Sequence, residues 1–140
     1  MKKCFVVLSM SVVFAACGGN QEGASSGAAE AAKPAASVMD SPDWVAGEKL
    51  VAKSDCFTCH KLSDASTGPS YLAVSEKYEN TEAVQKTLAD KVIAGGTGNW
   101  GQIPMAAHPA LTKEDALAMV KYVLLQKEYK KEKEAKEVKK

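Results

Sequence analysis

No arginine occurs in this 140-residue chain: all 18 basic residues are lysines, set against 17 acids for a formal net charge of +1. Nucleic-acid binding would call for a clustered basic excess, and the main body of the chain has none. Cysteine is scarce, and its four copies (Cys4, Cys17, Cys56, Cys59) leave nothing over for a disulfide framework. No stretch shows the apolar/polar alternation of a half-buried strand. No apolar run is long enough to span a membrane as a helix, the longest being Cys4 to Ala16. With two histidines in all, His60 and His108, a four-ligand zinc site would have to borrow His108 from far along the chain.

What is present is sharply partitioned. Met1-Lys2-Lys3 and the apolar run after it read as a secretory signal covering residues 1–16. The run ends Phe14-Ala15-Ala16-Cys17, which resembles a bacterial lipobox with phenylalanine in place of the usual leucine. Cys17 is then the acylated residue, and several acyl chains on one cysteine make a stable anchor. Cleavage by ordinary signal peptidase is the alternative. Residues 17–40 form the lipid-bearing start and a tether of Gly, Ala, Ser, Glu and Gln. That composition cannot offset the entropy of ordering, and a coil of its length spans roughly 25 Å. The expected location is the exported face of a bacterial membrane, periplasmic or exterior.

Residues 41–127 carry the folded domain. Ser41-Pro42-Asp43 starts a helix running to about Lys53. Thr81 caps a second over 82–94, where Val84, Leu88, Val92 and Ile93 recur at helical spacing. Thr112 caps a last one, with Ala116, Met119, Val120, Val123 and Leu124 as its buried stripe. The expected class is all-α. Residues 128–140 are a Lys/Glu tail, read as solvated helix or coil.

Chemistry concentrates in Cys56-Phe57-Thr58-Cys59-His60. Two thiols two residues apart, followed at once by an imidazole, form the attachment signature of one covalent c-type haem. A thioredoxin-like redox pair would need a βαβ context, which is missing. His60 supplies one iron ligand. For the other side of the iron the candidates are Met105, His108, Met119 and lysines. Met119 falls on a core stripe. Met105 follows a rigid Ile103-Pro104 in an irregular loop, 45 residues beyond His60, and His108 keeps bis-histidine ligation open.

These motifs in order, with Gly68-Pro69, Trp100-Gly101-Gln102-Ile103-Pro104-Met105 and the helix Ala118 to Leu124, resemble the class I cytochromes c, closest to the small bacterial c551/c552 type. The resemblance implies a small fold of about four helices around one haem c, with His60 and Met105 as axial ligands. It implies that the Pro69 carbonyl accepts from His60 and that Trp100 reaches a haem propionate. It also implies a crossing of first and last helices at Gly47 and Tyr122, although Gly47 stands one residue farther from Cys56 than is usual. The function implied is one-electron carriage between redox proteins, with no enzymatic step and no small-molecule substrate. The alternatives are a dedicated haem subunit of a membrane respiratory complex, or a haem peroxidase or sensor with labile Met105.

Overall fold

The computed structural model describes residues 36–139. The signal segment, Cys17 and most of the tether therefore lie outside the described residues. Helix α1 (Pro42–Lys53) opens on the Ser41 hydroxyl, which accepts from the Trp44 amide with proline in the first turn. Helix α2 (Tyr71–Lys77) is capped by Ser70 and α3 (Glu82–Ala94) by Thr81. Helix α4 (Lys113–Leu124) is capped by Thr112, with Glu114 and Asp115 in its first turn. Each hydroxyl satisfies an amide that the first turn leaves without a partner.

The core is built on both faces of α4. One face packs Met119 and Tyr122 with Trp44, Val51 and Tyr71 of α1 and α2. The other packs Ala116, Val120 and Leu124 against Ala89 of α3. Helices α1 and α4 cross at Gly47, where a Cβ would lie 2.3 Å from the Ala118 carbonyl oxygen and 2.4 Å from Tyr122 Cβ. The longer spacing to Cys56 does not prevent the crossing that the resemblance implies.

Two findings depart from the expectation of helices and irregular loops alone. Strands β1 (Gly96–Gly98) and β2 (Gly101–Met105) pair antiparallel as a small hairpin. Its two-residue turn, Asn99-Trp100, is flanked by Gly98 and Gly101, both at φ +113°. Both strands are almost wholly exposed, so no buried face imposes alternation on their sequence.

The charged tail is the second departure. After a short break at Leu125, helix α5 (Gln126–Glu137) continues the chain and packs against the domain. Tyr129 sits 5.0 Å from the Trp44 ring. The Glu132 carboxylate accepts from the Val38 amide at 2.9 Å and from the Ser37 hydroxyl at 3.1 Å. Val38 and Met39, read from the sequence as the end of the tether, thus lie in a 3-10 turn, Val38–Asp40, fastened to α5.

Lys136, then Val38 and Ser37, hold the Glu132 carboxyl down from its ordinary 4.5 to about 2. The sign follows by linkage: the folded state keeps the charge where the unfolded chain is already protonated. This fastening contributes fully above about pH 4.5 and is lost as pH falls through about 2. The Val38 amide NMR resonance should therefore titrate at the acid end in the wild type and lose that titration in Glu132→Gln.

Candidate haem-attachment site

A 3-10 turn, Asp55–Thr58, follows α1. The Cys56 carbonyl accepts from the amides of both Cys59 and His60, at 3.2 and 3.0 Å. This tight turn brings the two thiols and the imidazole to one cleft. Both thiols are free, Cys56 half-buried and Cys59 exposed. Burial, reinforced by the neighbouring Asp55 charge, pushes the Cys56 thiol up. A protonated thiol is a poor metal ligand. Among the described residues no group of three or more His, Cys, Asp or Glu could hold a metal ion. The donor set therefore fits thioether attachment of a porphyrin and does not fit a zinc site.

The next loop folds back on this turn. Gly68 donates to the Cys59 carbonyl at 2.8 Å, and Tyr71 and Leu72 donate to Lys61 and Leu62. Pro69 is thereby held beside His60. His60 Nδ1 lies 2.7 Å from the Pro69 carbonyl oxygen. A carbonyl only accepts, so Nδ1 carries the proton and Nε2 keeps the lone pair that a metal needs. The ring occupies space that only glycine leaves at position 68, since a Cβ there would come within 2.6 Å of His60 Cε1.

The cleft encloses about 320 Å³, in the range of cofactor sites. Val51, Val74, Leu88, Val92, Val120 and Val123, from all four core helices, give it apolar walls. The hairpin brings Met105 and Trp100 to the same cleft as Cys56, Cys59, His60 and Pro69. Trp100 remains 45% exposed, with Lys77 Nζ 4.2 Å above its ring. Met119 lies in the core, 3% exposed.

His108, unassigned from the sequence, bridges two elements. Nδ1 lies 3.3 Å from the Val92 carbonyl at the end of α3, and Nε2 lies 3.2 Å from Asp55 Oδ1 beside the attachment turn. Asp55 and His108 are 53 residues apart. Neither belongs to a periodic pattern that could have announced the pair. Tyr71 was also missed as a site residue: it stacks on His60 with ring centroids 5.6 Å apart. Its place just after Gly68-Pro69 was the available signal.

An all-α domain with an apolar cleft, two free thiols and a carbonyl-oriented histidine defines a haem-attachment protein. The cytochrome c family model matches residues 44–127, and the chain belongs to that family. It is 41% identical over 83 residues to cytochrome c-551 of Allochromatium vinosum, covering 59% of this chain and 88% of that protein. It is 40% identical over 81 residues to cytochrome c-551 of Azotobacter vinelandii, covering 58% and 98%. The crystal structure of wild-type Nitrosomonas europaea cytochrome c552 superposes with a TM-score of 0.53 at 30% identity, covering 56% and 98%. The chain is accordingly a haem c electron carrier that exchanges electrons with redox proteins, not an enzyme, and its Cys56-Phe57-Thr58-Cys59-His60 arrangement is of the kind that goes with one covalent haem c.

Proposed function

We propose that the chain shuttles single electrons on a low-spin haem with His60 and Met105 as axial ligands, while a lipid on Cys17 tethers it to the exported face of a bacterial membrane. The observation that carries the ligation is the 2.7 Å bond from His60 Nδ1 to Pro69, which fixes the ring and leaves Nε2 for the iron, in a cleft that also receives Met105. His108 is the weaker candidate, because both its nitrogens already face oxygen partners. A neutral thioether opposite an imidazole favours ferrous iron and raises the potential. The chain's own part is to keep both ligands in place through the redox cycle, to exclude water with the apolar walls, and to leave the Trp100 rim exposed for transient docking. Trp100 is the donor offered to a propionate.

The oxidised protein should show a weak sulfur-to-iron charge-transfer band that Met105→Ala removes and His108→Ala leaves. Rapid, stoichiometric carbon monoxide binding by the reduced wild type would instead mean an open iron site and defeat the carrier reading. The tether reading rests on the Phe14-Ala15-Ala16-Cys17 ending and on the Gly, Ala, Ser, Glu and Gln composition that follows it. No helix among the described residues is long and apolar enough to cross a membrane. Cys17→Ser should move the protein from the membrane fraction to the soluble fraction without changing its optical spectrum. Equal membrane association of the two forms would remove the lipid from the account.

A further inference from the structure

The cleft has two walls that come from distant parts of the chain. One carries Cys56, Cys59 and His60; the other is the hairpin and the loop after it, with Met105 at their junction. Among the described residues, a single pair joins segment 54–70 to segment 95–110 by a hydrogen bond or ion pair: His108 Nε2 lies 3.2 Å from Asp55 Oδ1. A carboxylate only accepts, so Nε2 is the donor. Lys77 and Lys91 hold the hairpin to α2 and α3, through the Asn99 and Thr97 carbonyls at 2.8 and 3.3 Å, but neither reaches the attachment turn.

Each partner of the pair stands on a firm mount. Asp55 opens the 3-10 turn of the attachment site. Ser54 before it is tied back to α1, its amide donating to the Val51 carbonyl at 3.2 Å and its hydroxyl to the Leu50 carbonyl at 2.9 Å. The His108 amide donates to the Ile93 carbonyl at the end of α3, at 3.0 Å. The stretch from Met105 to His108 presses on Gly95 so closely that a Cβ there would fall 2.6 Å from the Met105 carbonyl oxygen and 2.8 Å from the Ala107 nitrogen. Met105 and His108 are thus two ends of one short, tightly seated piece. When the methionine swings out, that piece leaves its seat and the bonds of His108 break with it.

We propose that Asp55 and His108 are positioning residues for the distal ligand: their bond clasps the Met105 wall to the attachment turn and so sets how often the methionine leaves the iron. The clasp rests on Met105 as the axial ligand proposed above. A thioether is a soft donor and holds ferric iron less firmly than ferrous, so the oxidised protein is where the clasp matters most. The histidine side chain is shielded and the aspartate open to water, at 22% and 77% exposure. A pair this exposed contributes modestly. Its loss shifts an opening equilibrium and leaves the resting ligand in place.

The test titrates imidazole into the oxidised, haem-loaded full chain and follows the loss of the sulfur-to-iron band. Added imidazole takes the iron only while Met105 is off, so its apparent affinity reads the open fraction. Asp55→Ala and His108→Ala should each tighten imidazole binding about threefold. The double substitution should add nothing further, because both singles remove the same bond. Asp55→Asn keeps an acceptor oxygen and should restore most of the wild-type value. Without added ligand, hydrogen exchange at the His108 amide should quicken by a similar factor in Asp55→Ala, with exchange in α1 and α4 unchanged. The clasp is overturned by single variants that bind imidazole as the wild type does, by effects that add in the double variant, or by a lowered guanidinium midpoint with imidazole affinity unchanged, which would make the pair structural only. An error in the ligation shows separately, as a wild type that lacks the sulfur-to-iron band before any imidazole is added.

Discussion

Replacing Gly47 with alanine is expected to destabilise the domain by about 3 kcal/mol, a large share of the roughly 5–15 kcal/mol typical of a small domain. Glycine inside a helix costs about 1 kcal/mol relative to alanine, so on helix propensity alone the substitution should help. Packing reverses the sign. The new Cβ would fall 2.3 Å from the Ala118 carbonyl oxygen and 2.4 Å from Tyr122 Cβ. One of these atoms is backbone and the other is the root of a buried side chain, so no rotamer change relieves the contact. Helices α1 and α4 would have to part by about 1 Å, and a gap of that size forfeits a quarter to a half of each dispersion contact along it. The Trp44–Tyr122 edge contact, at 4.9 Å, lies in the same seam. Guanidinium unfolding of the haem-loaded protein, followed by far-ultraviolet circular dichroism, measures the loss. An unchanged or raised midpoint would mean that the crossing is looser than its geometry.

That crossing was legible in the sequence only through the order of separated motifs, and the rest of the fold divides along similar lines. Helices α1, α3 and α4 announce themselves because Ser41, Thr81 and Thr112 accept from first-turn amides three residues on, a local event. Helix α2 has only seven residues, too few for its period to stand out. The β hairpin is specified by glycines at its turn and by backbone pairing, with no buried face to mark it. Helix α5 reads as solvated because its sequence is nearly all Lys and Glu, yet Tyr129 and Glu132 fasten it through contacts to residues far away in the chain. At the site, Cys56, Cys59 and His60 are adjacent and chemically distinctive. Asp55–His108 depends on the folded positions of two separate loops, which composition does not encode.

Gly68→Ala should raise the reduction potential by about 40 mV and should leave the haem attached. The substitution leaves both thiols in place and acts on His60 alone. A Cβ at position 68 would lie 2.6 Å from His60 Cε1 and 2.9 Å from Nδ1, so the imidazole must swing away and its 2.7 Å bond to Pro69 must lengthen or break. That bond lends the ring negative character, which favours ferric iron over ferrous, and orienting bonds of this kind tune the metal they support. A hydrogen bond is worth about 1 kcal/mol net. If that worth is felt mainly in the ferric state, its loss corresponds to about 40 mV for one electron, at about 59 mV per tenfold. Potentiometric titration gives the shift, and paramagnetic proton NMR of the oxidised protein reports the ring orientation independently. A displaced ring at an unchanged potential would show that Pro69 only steers His60. A lowered potential would contradict the direction of the argument, since it would require the tilted imidazole to donate more strongly than the hydrogen-bonded one.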